Sequence, residues 1–345
     1  MGRKRNYNSS VHWAAALKPG ASLGFNRYQK EVIMQKKNTM TASPAKGRKK
    51  FRFNKSHLVL TILVAPAVIL LFFFHYLPLP GVAIAFAKYN LGGFQKWVGL
   101  ENFQYIFNLN NFWRAFGNNW LYVGLNYLFS FPSAIILAIL FNEVRIHYYK
   151  NFVQTISTLP HFLSWAVVAG VWTLLLSPSS GYVNELVKFF GGDPIYFLGD
   201  NNTFPYIYTA ISIWKGVGYS SIIYLAALSG IDTQLYEAAS MDGAGRWKQT
   251  IHITLPGLKP TILVMLVLSF ASVLNLFEPL YVFRNPLINN STSVLDIYVF
   301  ETGITQGRYD MATAMGLFKS TISLFLVLGS NFLSKKFTED GSSIL

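Results

Sequence analysis

Six stretches of this chain are long and apolar enough to cross a bilayer, at about residues 58–86, 117–141, 152–176, 205–229, 260–283 and 311–333, each near or above the roughly 20 residues a helix needs to span the hydrocarbon core. Lipid leaves a chain few choices, because it offers no water to stray N–H and C=O groups and so admits only helices and closed barrels. Runs of this length read as helical spans. The expected fold class is all-α, a polytopic membrane protein with six transmembrane helices. Composition agrees: 52% of the 345 residues are hydrophobic and 13% charged, about half the charged share of an ordinary soluble domain.

The formal net charge of +14 is not spread over the chain. Residues 1–57 hold 14 of the 29 Lys and Arg and a single acid, Glu31, and the remainder is nearly neutral. The polybasic stretch KGRKKFRFNK (Lys46 to Lys55) stands directly before the first apolar run. That position suits a cytoplasmic face, where the positive-inside rule and anionic headgroups hold it, and no nucleic-acid partner is expected. The tail is too long and basic for a secretory signal, and no small-residue cleavage site follows Leu58 to Phe74. The start MGRKRN lacks the Ser or Thr of a myristoylation site, and Met34 and Met40 are alternative starts. Six crossings from an inside tail return the C-terminus, entered by Lys335 and Lys336, to the cytoplasm. The expected organisation is a cytoplasmic tail over 1–57, a six-span domain over 58–337 and a short cytoplasmic C-terminus over 338–345. The connections near 87–116, 177–204 and 284–310 then lie outside, and their turn-forming residues read as ordered caps. Cysteine is absent, which excludes disulfides and thiolate metal sites.

Between the fourth and fifth runs lies a polar interruption, LYEAASMDGAGRWKQTIHITLPG, from Leu235 to Gly257. Asp232 or Thr233 can cap a short helix from about Gln234 to Met241, and Asp242 with Gly243 is a natural stop. A second short helix, Arg246 to Ile253, is expected to end before Pro256. Two such helices form a knob on which Ala238 and Ala239 allow close approach and Glu237 offers a charged contact. Read locally, the segment serves equally as a loop returning the chain to the membrane.

Glu237-Ala238-Ala239, three residues, Gly243, nine residues, then Ile253-x-Leu255-Pro256 resembles the EAA loop of permease subunits of binding-protein-dependent ABC importers, a likeness that covers about residues 57–337. The resemblance implies a type I importer permease fold in the bacterial cytoplasmic membrane, with the loop over 231–259 carrying a coupling helix. It also implies that Glu237, Ala238, Ala239, Asp242, Gly243, Ile253, Leu255 and Pro256 meet a cytoplasmic ATPase. The chain itself lacks G-x-x-x-x-G-K-[ST], and GAGRWKQT (Gly243 to Thr250) has the wrong spacing to cradle phosphates. It is therefore expected to be a transport subunit and no enzyme, with no cofactor of its own, and with ATP and Mg on the partner ATPase. The implied partners are a second permease, two ATPase subunits, an extracytoplasmic solute-binding protein and membrane lipids.

Four stretches, LPHFLSWAVVAGVW (Leu159 to Trp172), IWKGVGYSSIIYLAALSGID (Ile213 to Asp232), FEPLYVFRNPL (Phe277 to Leu287) and ATAMGLFKS (Ala312 to Ser320), are similar to sugar permeases of the maltose and glycerol-phosphate type. They are closer still to importers of larger oligosaccharides such as aldouronate, pectin fragments or alginate. Sugar recognition needs flat aromatic faces and a few amides or carboxylates. The fourth span offers Trp214, Lys215, Gly218, Tyr219 and Ser221; the fifth offers Asn275, Phe277, Glu278 and Tyr281. By resemblance, Gly218 to Ser221 and Asn275 to Glu278 match stretches lining the sugar site of maltose-type permeases. A carboxylate within a span is expensive, so Glu278 is a candidate site residue with Lys215 its expected partner. The same residue types also serve packing: aromatics gather at interfaces whatever the cargo, and Asn275 can join helices. The pattern departs from the maltose type at Glu278 and Pro279, so maltose itself is not expected, and uronate cargo needs Lys215 or Arg284 to offset Glu278. His147, His161 and His252 match no ligand spacing, so no metal site is expected. The competing readings are non-sugar cargo (polyamine, phosphate or peptide), a secondary transporter, marked by uptake without an ATPase, and a membrane enzyme, marked by turnover of the isolated chain.

Overall fold

The computed structural model describes residues 55–337, so the reading of the basic tail before Lys55 and of the residues after Phe337 lies outside the described residues. Contacts divide the chain between Phe73 and Phe74 into two compact units. In the first, helix α1 (Lys55–Leu71) is apolar from Leu58 onward and carries Pro66 in its interior. The stretch Val59–Phe86 has the length and hydropathy of a membrane span, as expected from sequence.

In the second unit a 3₁₀ helix, Leu79–Phe86, leads into a hairpin of β1 (Ala87–Asn90) and β2 (Gly93–Trp97), a small departure from an all-α chain. Asn90 accepts the Gly92 N–H at 2.9 Å, and Gly93 takes φ +94°, the left-handed conformation such a tight turn needs. After α2 (Glu101–Phe107), helices α3 (Asn110–Leu125) and α4 (Phe131–Glu143) form one 34-residue span, Asn110–Glu143, joined by a π turn at Asn126–Ser130. The expected span at 117–141 is its central part.

The third span departs from expectation. Instead of one helix over 152–176, α5 (His147–Thr158) with a 3₁₀ turn through Phe162 meets α6 (Trp165–Leu175) at a bend of 104°. Pro160 supplies no N–H to the ladder, and Ser164 starts the new helix by accepting the Val167 N–H at 3.3 Å. Beyond α7 (Tyr182–Phe189), α8 (Phe204–Leu228) is an unbroken 25-residue span that agrees with the sequence expectation.

The fifth span is corrected at both ends. The short helix expected to stop before Pro256 does not stop: α10 (Arg246–Gln249) passes through a π turn at Thr250–Thr254 into α11 (Leu255–Ser272), giving one 27-residue span, Arg246–Ser272. Leu255 N–H reaches back to the Thr250 carbonyl, so the ladder has already shifted by one residue where Pro256 lacks a donor. At the other end the helix breaks over 273–276, and α12 (Phe277–Phe283) is a separate element. Short helices α13 (Asn289–Thr292) and α14 (Leu295–Phe300) follow, and α15 (Tyr309–Phe337) is the sixth span.

Within lipid there is no hydrophobic drive to bring spans together, so close packing at small residues has to supply it. Ala134 and Ala138 of α4 are buried against Tyr224 and Leu228 of α8 and Leu258 of α11. Gly218 lets α8 touch the bend of the third span, because a Cβ there would lie 2.0 Å from the Ser157 carbonyl oxygen. The connections opposite the α8–α11 loop are ordered caps, as expected, and asparagines hold them. Asn119 accepts the Leu295 N–H at 2.7 Å, Asn118 donates to the Asn290 and Ser293 carbonyls, and Asn201 donates to Leu287 and accepts from Ser291.

Candidate functional site

Two features stand out, at opposite ends of α11. The first is the knob over the α8–α11 loop. Helix α9 (Thr233–Met241) is capped by Asp232, whose carboxylate accepts the Gln234 N–H at 2.9 Å, and it ends as the sequence foretold. Gly243 takes φ +76°, its N–H reaches the Ser240 carbonyl, and Ala244 N–H closes on Ala239 at 2.8 Å, the bonding of a Schellman stop. Asp242 keeps a negative φ, so Gly243 alone makes the left-handed turn. Glu237, Ala238 and Asp242 are exposed and Ala239 half-buried, next to the bare side chains of Met241 and Trp247.

The knob is braced from three sides. Tyr236 shares a 3.0 Å hydrogen bond with Thr254 in the π turn, Gln249 donates to Ser240 and Ala244, and Arg246 forms an ion pair with Glu143 at the end of α4. Gly257 packs against Ile231, where a Cβ would meet the isoleucine methyl at 2.7 Å. Ile253 is half-buried, while Leu255 and Pro256 are exposed on the first turn of α11.

The second feature is a cavity of about 1060 Å³ among α3, α6, α8, the end of α11, α12, α14 and α15, lined in part by the α11–α12 break. Aromatic faces form part of its wall: Trp165 stacks on Tyr208 at 5.9 Å, and Phe277 packs against Phe300 at 5.2 Å. The polar part gathers at the break, where the Lys319 ammonium bridges the Asn275 amide oxygen (2.8 Å) and the Asp296 carboxylate. The other Asp296 oxygen accepts the Leu276 N–H at 3.1 Å. This triad joins the broken end of the fifth span to α14 and α15.

Of the candidate cargo residues, the structure brings Asn275, Phe277 and Glu278 together on this cavity. Tyr281 stands one turn behind, stacked on Phe277 at 5.0 Å. The five candidates of α8 do not line it. Trp214 packs edge-on against Trp172 at 5.5 Å, Tyr219 stacks on His161 at 3.9 Å, Gly218 abuts Ser157, and Ser221 Oγ donates to the Gly218 carbonyl. The expected Lys215–Glu278 pair is not formed. Lys215 is buried and donates to the carbonyls of Pro160, His161 and Leu163 at 3.5, 2.8 and 2.7 Å, taking its partners from the bent third span. Arg284 is engaged by Glu301 at 2.6 Å, so Glu278 is in none of the ion pairs among the described residues.

The α8 residues facing the cavity are Tyr208, Thr209 and Ser212, one to two turns earlier than expected. Sequence reasoning also missed Asp296 and Lys319, although Lys319 lies inside an apolar run and meets the same test of a costly intramembrane charge that singled out Glu278.

A chain of membrane spans with a braced loop between its fourth and fifth spans can be compared with known proteins by sequence and by fold. The profile of the family described as "Binding-protein-dependent transport system inner membrane component" matches residues 105–338, and the chain belongs to that family. It is an inner-membrane permease of the ABC importer class. The chain is 39% identical over 315 residues to Protein LplB of Bacillus subtilis (strain 168), covering 90% of this chain and 99% of that protein. It is 42% identical over 288 residues to the polygalacturonan/rhamnogalacturonan transport system permease protein YteP of the same organism, covering 82% and 89%. Among solved structures it is similar to a chain of a bacterial ABC transporter involved in the import of the acidic polysaccharide alginate, with a TM-score of 0.77, 38% identity and coverage of 83% and 98%.

Proposed function

We propose that this permease carries oligosaccharides or polysaccharide fragments across the bacterial cytoplasmic membrane, driven by ATP hydrolysis on partner subunits. The single observation that carries the cargo reading is the cavity at the α11–α12 break. Its aromatic walls at Trp165, Tyr208 and Phe277 suit the C–H faces of sugar rings, and Asn275 and Glu278 offer hydrogen bonds to hydroxyls. The names of similar proteins support it, since one is a polygalacturonan/rhamnogalacturonan permease and a solved relative is complexed with an alginate pentasaccharide-bound periplasmic protein.

In this reading a second permease completes the pathway and two ATPase subunits, holding ATP and Mg, sit beneath the knob. A binding protein delivers cargo to the asparagine-held caps. Both termini of the chain are cytoplasmic. Glu237, Ala238, Ala239, Asp242 and Gly243 meet the ATPase, and Ile253, Leu255 and Pro256 join that contact to α11. Closure of the ATPase dimer moves the knob, and the brace to α4 and α11 carries the motion to the spans.

The test is ATPase activity of the reconstituted complex, with its binding protein, across neutral and acidic oligosaccharides. Stimulation by one saccharide class is expected. An intact complex stimulated by a polyamine or peptide and by no saccharide would overturn the cargo assignment.

A further inference from the structure

Helix α7 carries an apolar face that the transport reading leaves unused. Tyr182, Leu186, Phe189 and Phe190 are 75%, 60%, 82% and 82% exposed, and their spacing of i, i+4, i+7 and i+8 sets them on one side of the helix. The opposite side is locked down. Asn184 is buried and its amide donates to the carbonyls of Leu176, Ser177 and Ile195, while its oxygen accepts the Ile195 N–H at 2.7 Å. Gly181 presses the start of α7 against the last turn of α6, since a Cβ there would lie 2.5 Å from the carbonyl oxygens of Leu175 and Ser177. The aromatic face therefore has no freedom to roll inward.

What covers it follows from the surface it continues. Helix α6 belongs to a membrane span, and Val167, Val171 and Leu174 form an exposed apolar stripe along it at i, i+4 and i+7. The α7 face begins at Tyr182, a short turn beyond the end of α6 at Leu175, which is where a chain leaving a span enters the headgroup layer. Phenyl and phenol rings favour this layer, and an amphipathic helix lies in it with its apolar side down. Glu185 and Lys188 cancel in charge, so the attachment is apolar and needs no anionic lipid.

We propose that α7 is an interfacial anchor: Tyr182, Leu186, Phe189 and Phe190 sit in the headgroup layer of the bilayer and fix the depth of α6, and with it Trp165 in the cavity wall. This rests on membership of the membrane family and is independent of the cargo. Because the chain has no cysteine, single nitroxide labels can be placed without background. Leu186→Cys, Phe189→Cys and the loop control Asn202→Cys would be labelled on the full chain, assembled with its partner subunits in nanodiscs of phosphatidylethanolamine and phosphatidylglycerol. The expected result is oxygen-rich, nickel-chelate-poor collision at positions 186 and 189, the reverse at 202, and no change when phosphatidylglycerol is replaced by a neutral lipid. Nickel access at 186 and 189 equal to that at 202 would place the face in water and overturn the anchor. Labels immobilised and shielded from both reagents would assign the face to a protein neighbour and overturn it equally. In a background of Phe189→Ser with Phe190→Ser, the label at 186 should gain nickel access; an unchanged value would credit its depth to the Asn184 clasp instead.

Discussion

An ammonium has three protons to donate, and Lys215 finds the carbonyls of His161 and Leu163 at the bend of the third span, with a longer contact to the Pro160 carbonyl, which also accepts the Leu163 N–H. Irregular backbone is tolerated at membrane depth only where protein satisfies it, so Lys215 makes the bend sustainable. Replacing it by methionine takes this donor from the His161 and Leu163 carbonyls, at about 1–3 kcal/mol for each unsatisfied group. Lys215→Met should therefore lower the melting temperature of the solubilised chain while residual transport keeps its KM. A changed KM with unchanged melting would return Lys215 to the cargo site. For Glu278, exposed on the cavity and outside every ion pair among the described residues, the expectation is reversed: Glu278→Ala should weaken transport and leave melting unchanged. The sequence revealed both charges as costly but paired them with each other. The carbonyls that claim Lys215 exist only because a helix breaks elsewhere in the chain, and residue types alone do not display a free carbonyl.

At the scale of elements, the runs of apolar residues located the spans, and errors clustered where proline meets helix. Pro256 read as a stop and proved to be passed, because the π turn at Thr250–Thr254 shifts the ladder before it; Pro132 follows the π turn at Asn126–Ser130 in the same way. Pro160 was the reverse case, a proline inside an apolar run that does break the span. Hydrophobicity cannot separate these outcomes, since they depend on whether the ladder shifts into a π turn before the proline. The knob was more legible because its cap and stop are local: Asp232 and Gly243 act within a few residues of themselves. Gly243→Asp would force a side chain into a φ of +76° and should abolish uptake and uncouple the ATPase while the chain still inserts. Wild-type uptake by that variant would defeat the coupling reading. Gly218→Val should push α8 off Ser157 and reduce the amount of folded chain in the membrane, read by size-exclusion profile.

Across the whole molecule, the ion pair between Arg246 and Glu143 is exposed at both partners, so its worth in stability is small, about 0–1 kcal/mol. Its expected value is mechanical. Arg246→Glu should leave melting nearly unchanged and reduce ATPase coupling, and adding Glu143→Arg should restore coupling; failure of the double exchange to recover would assign Arg246 another contact. Sidedness is open to the same direct approach: a cysteine at Met241 should react with an impermeant maleimide only from the cytoplasmic side, and one at Tyr196 only from outside.

The unbroken run from Arg246 to Ser272 has a further consequence. At 27 residues and about 1.5 Å of rise per residue, it is a rod about 40 Å long. One end is clamped in the knob and the other stops at the edge of the cavity. A rod of that length is a lever: tilting it by about 5° at the clamp would swing its far end by about 3.5 Å, more than the length of a hydrogen bond. In the coupling reading, no chain of side-chain rearrangements would have to run the depth of the membrane, because stiffness alone would deliver a displacement large enough to part Asn275 from Lys319.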